Sequence, residues 1–315
     1  MKILVTGSSG FVGSNVIAAA YAQGWSCVQQ CRQQYGSTID DAVFVSNIDA
    51  NTNWNRALSG VECIVHCAAR VHQMKDDPQS ALKHYREVNT AGTINLARQA
   101  HTAGVKRFVF ISSIKVNGEY TQIGQPFRPD SNIAPADPYA LSKYEAEMEL
   151  QQLAQETGLE VVIIRPPLVY GPGVKANFQS MMRWIEKGVP LPLGAIHNQR
   201  SLVYIDNLVD LILVCCEHHN AVGKTFLVSD DHDVSTSQLL KQVESIMAKS
   251  NRILPMPMNW IELSAKLLGK PQIARRLCGN LQVDISQTKA LLEWRPQVSF
   301  EEGIRRTVNA YLGRE

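Results

Sequence analysis

The chain has 315 residues, of which 45% are hydrophobic and 19% are charged, and its formal net charge at pH 7 is +2. This composition is ordinary for a globular protein, and the length suffices for one large α/β unit with a smaller lobe. The near-neutral charge gives no electrostatic reason to expect nucleic acid or a membrane surface as a partner.

The chain begins with a predicted strand, a glycine-rich turn and a predicted helix. Met1–Thr6 is a short apolar run, glycines follow it at positions 7, 10 and 13, and Phe11–Ala22 carries apolar residues at helical spacing. Such an arrangement presents backbone N–H groups and the positive end of a helix dipole to a pyrophosphate, which the glycines allow to approach closely. We therefore predict a dinucleotide-binding loop that comprises Gly7, Gly10, Phe11, Val12 and Gly13.

Strand-like and helical segments then alternate up to about residue 165. The further candidate strands are Cys27–Gln30, Ala42–Val45, Cys63–Cys67, Phe108–Ser112 and Val161–Arg165. Runs that are wholly or half apolar are typical of parallel strands buried between helices, so the pattern predicts a doubly wound α/β sheet of the Rossmann type. After Pro166 prolines separate short helical segments, including Phe178–Lys187 and Trp260–Leu268, which indicates a smaller, mostly helical lobe.

Two units follow from this division. Residues 1–170 are predicted to form the dinucleotide-binding domain, and residues 201–230 to return to it, with Thr225–Ser229 in the main sheet. Residues 171–200 and 231–315 are predicted to form the substrate-binding lobe.

The end of the second predicted strand bears on the choice of dinucleotide. Many NAD-binding proteins carry an acid at this point to bind the ribose hydroxyls, whereas this chain has Cys31 followed by Arg32. A guanidinium group suits a 2′-phosphate, so we expect NADP or NAD, with NADP favoured by Arg32. The alternative is an arginine that only faces solvent.

Two later clusters supply hydroxyl and amine groups. Ser112 and Ser113 end a buried strand, and Tyr139 and Lys143 lie four residues apart, so that on a helix they share one face. A free tyrosine titrates near ~10, and we expect a neighbouring ammonium group and a positively charged nicotinamide to lower the pKa of Tyr139. Tyr139 could then exchange a proton with a substrate hydroxyl during hydride transfer. The alternative is an incidental pair on a surface helix.

These motifs together resemble the extended short-chain dehydrogenase/reductase family, and within it the nucleotide-sugar subgroup that is similar to UDP-glucose 4-epimerase. The segments that carry the resemblance are Gly7–Gly13, Val65–Ala69, Asn89–Thr93, Phe108–Ser113, Tyr139–Lys143 and Leu291–Pro296. The last is similar to the family's closing Leu-Gly-Trp-x-Pro signature, with Glu293 in place of the glycine.

The resemblance implies further positions at the dinucleotide. Lys143 would bind the nicotinamide ribose, and Ser113 would hydrogen-bond the substrate oxygen on which Tyr139 acts. The other implied cofactor-binding residues are Asn47, Ile48, Cys67, Ala68, Ala69, Asn89, Ser112, Tyr139 and Pro166.

The resemblance also implies a nucleoside diphosphate sugar as substrate, with a UDP-sugar favoured. Asn177 and Arg200 match positions that contact the diphosphate, and Arg275 or Arg276 would be a second arginine there. Leu168 stands where relatives carry an asparagine, which is a departure from the family pattern. The alternative for each arginine is a solvated position on a surface helix.

Several functions fit these residues. Ile114 and Lys115 occupy the positions of an acid pair in relatives that dehydrate sugars, which disfavours a dehydratase. Two reactions at C4 of a UDP-hexose or UDP-N-acetylhexosamine remain near parity, a 4-epimerase and a 4-ketoreductase, with a slight preference for the reductase because of Arg32. The expected setting is surface polysaccharide synthesis. A non-catalytic dinucleotide-binding sensor or scaffold is the alternative, which Tyr139 and Lys143 disfavour.

The remaining expectations concern metals, location and assembly. The seven cysteines contain no Cys-x-x-Cys pair and the eight histidines lack metal-ligand spacing, so we expect neither a disulfide framework nor a metal. With the first strand at Met1 and Asp210 interrupting the apolar run Leu208–Cys216, we expect a cytoplasmic protein without a membrane span. The resemblance implies a homodimer through the helices near Ala91–Ala103 and Ser142–Gln155.

Overall fold

The computed structural model describes residues 1–32, 42–71, 78–249, 253–267, 269 and 271–314. Within these ranges the strands are β1 (Lys2–Thr6), β2 (Ser26–Cys31), β3 (Ala42–Phe44), β4 (Cys63–His66), β5 (Arg107–Ile111), β6 (Glu160–Arg165), β7 (Leu168–Tyr170), β8 (Arg200–Tyr204), β9 (Thr225–Leu227) and β10 (Asp233–Val234). The α-helices are α1 (Phe11–Ala22), α2 (Pro78–Tyr85), α3 (Thr93–Thr102), α4 (Pro138–Thr157), α5 (Ala176–Glu186), α6 (Ile205–Glu217), α7 (Thr236–Met247), α8 (Met258–Leu267), α9 (Pro271–Cys278), α10 (Ser286–Leu292) and α11 (Phe300–Tyr311).

Seven of the described strands form one parallel sheet in the order β3-β2-β1-β4-β5-β6-β9. The order of connection reverses between β1 and β4, and ligands of such sheets bind outside the carboxyl ends of the strands at this point. The predicted doubly wound sheet is confirmed. Strand β1, which leads into the glycine-rich loop, pairs with β4. The motifs that follow β4 and β5 therefore lie at the same edge of the sheet as that loop.

Alternate residues of β1 enter two different hydrophobic clusters. Ile3 and Val5 pack with α1, α6 and parts of the C-terminal segments, whereas Leu4 packs with α3 and α4 on the opposite face. Successive side chains of a strand point to opposite faces, so a sheet covered on both sides needs apolar residues throughout. This explains why the central strands read as continuous apolar runs.

A second sheet has three strands in the order β10-β8-β7. Phe178 of α5 and Val243 of α7 belong to the same hydrophobic cluster as Val5 of the main sheet. Helices α5 and α7 therefore share a continuous core with one face of the main sheet.

The helix that leads into α3 is unusual. Between α2 and α3, residues Arg86–Gly92 form a π-helical turn, and Asn89 lies in its middle. The sequence pattern does not indicate this widening, which is frequent at functional sites. Within the described ranges, none of the helices has both the length and the apolar character of a bilayer-spanning segment.

Candidate active site

The loop after β1 depends on glycine at defined points. Gly7 has a φ of 64°, and its carbonyl accepts a hydrogen bond from the Gly10 N–H at 2.9 Å. A Cβ at Gly13 would lie 2.3 Å from the Gly7 carbonyl oxygen, and one at Gly7 would lie 2.9 Å from Ala68 Cα. Helix α1 begins at Phe11 without a side-chain cap or an acid in its first turn. These features fit a dinucleotide pyrophosphate, because the N–H groups of the first helical turn are free of side-chain caps and can donate hydrogen bonds to an anion.

The end of β2 presents no carboxylate to this loop. Cys31 is buried with its Sγ 3.3 Å from Ser8 Oγ, and Ser8 Oγ donates to the Gln30 carbonyl at 2.7 Å. Gln30 Oε1 accepts from the Gly7 N–H at 2.9 Å, so this side chain fixes the start of the loop. Arg32 follows at the surface with an exposed side chain. No motif in the sequence indicates the contact made by Gln30.

A buried histidine joins the segment after β4 to the π-helical turn. The Ala68 N–H donates to Thr6 Oγ1 at 3.2 Å, Thr6 Oγ1 lies 2.7 Å from His66 Nδ1, and His66 Nε2 lies 2.9 Å from Thr93 Oγ1. Because Thr93 donates its proton to the Asn89 carbonyl, it accepts from Nε2–H, and Thr6 donates to Nδ1. Burial lowers the pKa of His66 to about 3, so the neutral imidazole is the form that completes the chain.

Asn89 anchors the same segment from the other side. Its Oδ1 accepts from the Arg70 N–H at 2.7 Å, and its Nδ2 donates to the Arg70 carbonyl and to Ser142 Oγ at 3.1 and 3.0 Å. The side chain is fully buried. Asn89 therefore ties Arg70, which directly follows the Cys67–Ala69 segment, to α4.

Other predicted cofactor positions lie around this edge of the sheet. The Pro166 carbonyl accepts from the Ile114 N–H at 3.0 Å, which holds the segment after β5 against the end of β6. Asn47 is exposed, and Ile48 is buried so close to the π-helical turn that a Cβ at Gly92 would lie 2.7 Å from Ile48 Cγ2.

The two serines after β5 point in different directions. Ser112 Oγ donates to the Glu147 carboxylate in the interior. Ser113 Oγ accepts from the Lys115 N–H at 3.3 Å, and its hydroxyl is close enough to the Tyr139 phenol to lower the pKa of Tyr139. Ser113 therefore lies near Tyr139, its role at the substrate oxygen stays a prediction, and Ser112 bonds within the core.

Helix α4 carries the tyrosine and the lysine in its first two turns. Asp137 is the N-cap, with Oδ1 accepting from the Ala140 N–H at 2.7 Å, and Pro138 occupies the first turn, where its fixed φ favours a helix. Tyr139 and Lys143 then lie one turn apart on the face toward the main sheet. Lys143 is 1% exposed, and its Nζ lies 4.0 Å from the centre of the Phe110 ring.

Burial dominates the protonation of both groups. It raises the pKa of Tyr139 to about 12, with the charge of Asp137 adding to the rise and the hydrogen bond from Ser113 opposing it. Burial also lowers the pKa of Lys143 to about 7, and the charge of Glu147 opposes that change. The expected lowering of the Tyr139 pKa by Lys143 is thus not met by the protein's own groups, because desolvation penalises phenolate and ammonium alike.

A buried ion pair links helix α4 to the end of β6. Arg165 Nη2 lies 2.6 Å from Glu147 Oε2, and the two side chains are 5% and 2% exposed. Arg165 Nη1 also donates to Asn117 Oδ1 at 3.0 Å. No family motif indicates this pair, although Glu147 follows Tyr139 and Lys143 at the helical spacing of four residues.

The predicted substrate residues lie on α5, β8 and α9. Arg200 Nη1 donates to the carbonyls of Arg276 and Gly279, both at 3.1 Å, so β8 is linked to the end of α9. Arg275 and Arg276 are exposed in the last turn of α9, and Asn177 is exposed in the first turn of α5. The structure therefore gathers the three arginines in one region and places Asn177 on a separate helix.

Comparisons with known proteins agree with this geometry. The sequence profile of the NAD dependent epimerase/dehydratase family matches residues 3–229. The chain belongs to this family. A Vibrio cholerae protein named UDP-glucose 4-epimerase is 50% identical over 313 residues, which cover 99% of this chain and 95% of that protein.

Solved structures show the same fold. The Thermotoga maritima UDP-glucose 4-epimerase with UDP-glucose has a TM-score of 0.79 at 24% identity, and 99% of each chain is covered. The Bacillus cereus UDP-glucuronic acid 4-epimerase in complex with NAD has a TM-score of 0.79 at 21% identity, also with 99% of each chain covered. The predicted family, fold class, enzyme class and nicotinamide dinucleotide are confirmed, whereas the preference for NADP stays a prediction.

Proposed function

We propose that this enzyme carries out redox chemistry at C4 of a UDP-hexose or UDP-N-acetylhexosamine, as a UDP-sugar 4-epimerase. The observation that carries the proposal is the placement of Ser113 just after β5 and near the Tyr139 phenol, with Lys143 one turn further along α4. The 50% identical relative named UDP-glucose 4-epimerase supports the hexose and the reaction type.

Within this proposal the chain's own residues handle the proton and the orientation. A nicotinamide dinucleotide held by the loop after β1 would supply the hydride chemistry at the sugar carbon. Tyr139 takes the proton of the C4 hydroxyl as the ketone forms and gives it back when the ketone is reduced on the opposite face. Ser113 holds the same oxygen by a hydrogen bond. The positive form of Lys143 stabilises the phenolate that Tyr139 becomes in between.

The substrate diphosphate is assigned to the smaller lobe. Arg200, Arg275 and Arg276 supply positive charge there, which the overall net charge of +2 does not. Asn177 at the first turn of α5 is the proposed fourth contact. The lobe thereby holds the nucleotide part while the sugar reaches Ser113 and Tyr139.

A 4-ketoreductase is the second candidate, and the end of β2 favours it. Cys31 is buried against Ser8, and the exposed Arg32 follows it without a neighbouring acid in β2. An exchangeable phosphorylated dinucleotide fits that arrangement better than a permanently held NAD.

The two candidates differ in stoichiometry. Supplied with UDP-glucose or UDP-N-acetylglucosamine and no added reductant, an epimerase interconverts the C4 epimers over many turnovers without net absorbance change. We expect this result, measured by chromatography of the sugars. A reductase instead leaves this mixture unchanged and consumes one NADPH per molecule of a UDP-4-keto-6-deoxy sugar, which would contradict the epimerase.

The Arg32→Ala variant tests the dinucleotide preference separately. We expect NADPH binding to weaken by about 1.5–3 kcal/mol and NADH binding to change little, because only NADPH carries a 2′-phosphate. Fluorescence titration of both dinucleotides measures this, and Arg98→Ala on α3 is a matched control outside the β2 edge. Equal weakening of both dinucleotides, or no change, would show that Arg32 only faces solvent.

The assembly, the location and the domain division of the enzyme are further proposals. We propose a homodimer through the helices near Ala91–Ala103 and Ser142–Gln155, where α3 and α4 pack side by side. We also propose a cytoplasmic enzyme in surface polysaccharide synthesis. Residues 1–170 and 201–230 are assigned to the dinucleotide-binding domain, although β7 and β8 pair in the second sheet.

A further inference from the structure

Lys115 contacts Ser113 and also Asp137, the residue that caps the helix carrying Tyr139. Its backbone N–H donates to Ser113 Oγ at 3.3 Å, and its Nζ lies 2.5 Å from Asp137 Oδ2. The other oxygen of Asp137 accepts from the Ala140 N–H at 2.7 Å and so caps the helix that carries Tyr139. One residue after β5 thus connects the serine to the first turn of α4.

We propose that Lys115 is a positioning residue, which fixes Ser113 against Tyr139 and offsets the negative charge of Asp137 beside the phenol. This inference rests on the proposed proton-transfer role of Tyr139. It adds a residue that the family motifs do not contain, because the motif serine and the Tyr-x-x-x-Lys pair leave both Lys115 and Asp137 out.

The groups around the phenol come from three elements, namely α4 with its N-cap, the segment after β5 and α2. Asp137 precedes it on the chain, Lys143 follows it by one turn of α4, and Ser113 approaches it from the segment after β5. The Tyr85 ring at the end of α2 packs edge-on against it with the ring centres 6.0 Å apart. Asp137 is the charged group that raises the pKa of Tyr139 after burial itself. A cation that pairs with Asp137 therefore offsets part of the rise that Asp137 causes in the pKa of Tyr139.

Lys115 is the closest cation to that carboxylate. Its ammonium also lies 3.8 Å from Glu119 Oε1, which is a longer and weaker contact. Arg276 of α9 lowers the pKa of Asp137 as well, after the hydrogen bond from Lys115. The Lys115 side chain is 35% exposed, so solvent screening reduces but does not remove its effect.

Substitutions of Lys115 and Asp137, singly and together, test the electrostatic part of this proposal. Lys115→Gln leaves Asp137 uncompensated, and we expect the apparent pKa of Tyr139 to rise by about half a unit or more. Asp137→Asn keeps an efficient N-cap and removes the negative charge, so the same pKa should fall. The double variant should return close to wild type, and Lys115→Arg, which keeps the charge, should stay close to it.

Two readouts follow these variants. The pH dependence of kcat/KM should move to higher pH in Lys115→Gln, with about threefold lower kcat/KM on the acidic limb for a shift of half a unit. The ¹³C signal of tyrosine Cζ, recorded with NAD⁺ and no sugar between pH 7 and 11, reports the start of phenolate formation without turnover. Tyr139 is assigned as the signal missing in Tyr139→Phe.

The outcomes separate this inference from the proposed function. Opposite shifts in Lys115→Gln and Asp137→Asn, with recovery in the double variant, support the inference even if no UDP-sugar is turned over. Unchanged signals in Lys115→Gln, or shifts of the same sign in both single variants, overturn it even if the enzyme epimerises UDP-sugars normally.

Discussion

Tyr139→Phe is expected to lose about 10²- to 10⁴-fold in kcat, the usual contribution of a positioned acid–base group. The substitution removes only the hydroxyl that meets Ser113 and keeps the ring, which packs edge-on against Tyr85 at 6.0 Å. Affinity for the dinucleotide should therefore stay near wild type. Steady-state kinetics with a UDP-sugar and a dinucleotide binding titration measure the two quantities.

The chain offers a matched control for this substitution. Tyr311→Phe makes the same chemical change on α11, where the hydroxyl donates to Glu186 at 2.6 Å, far along the chain from the motif residues. We expect it to keep wild-type turnover. If Tyr139→Phe kept more than a tenth of the wild-type rate, the assignment of proton transfer to Tyr139 would be wrong.

Glu147→Gln is expected to lower the free energy of unfolding by about 3–5 kcal/mol, because it leaves the Arg165 guanidinium buried without its counter-charge. Both side chains are almost completely inaccessible, so solvent cannot take over the interaction. The same substitution weakens the acceptor of the Ser112 hydroxyl. Urea unfolding should show a lower midpoint with an unchanged slope.

Glu302→Gln on α11 is the control for the loss of a carboxylate charge. Glu302 pairs with Arg305 and Arg306 at the surface, where water replaces the lost contacts. Its unfolding midpoint should match that of the wild type. A loss below about 1 kcal/mol for Glu147→Gln would mean that water or a rearranged neighbour compensates Arg165, contrary to the buried geometry.

The sequence alone predicts the elements whose signals are local. Helix α1 was expected over Phe11–Ala22 and occupies those residues, because the glycine turn before it and the apolar spacing within it are both encoded in consecutive positions. The expected strand Cys27–Gln30 is one residue shorter than β2 at each end, and Val161–Arg165 is one residue shorter than β6 at its start. Strand ends depend on partner strands, which a local pattern does not contain.

Contacts between distant segments have no such signal. The His66 chain joins residues that are 60 and 27 positions apart, and the pair Glu147–Arg165 joins α4 to the end of β6. Nothing in either segment alone marks these partners. The π-helical turn at Asn89 belongs to the same class, because it is favoured by packing against α4 rather than by the propensity of its residues.

The sequence by itself determined the family, the doubly wound sheet and the set of groups that carry the proposed chemistry, because glycine spacing, apolar periodicity and the Tyr139–Lys143 spacing are properties of neighbouring residues. Only the tertiary structure decided the pKa values of Tyr139 and Lys143. Burial raises the pKa of Tyr139 to about 12 and lowers that of Lys143 to about 7, against the expectation drawn from their spacing. Desolvation depends on everything packed around a group, and that environment exists only in the folded chain.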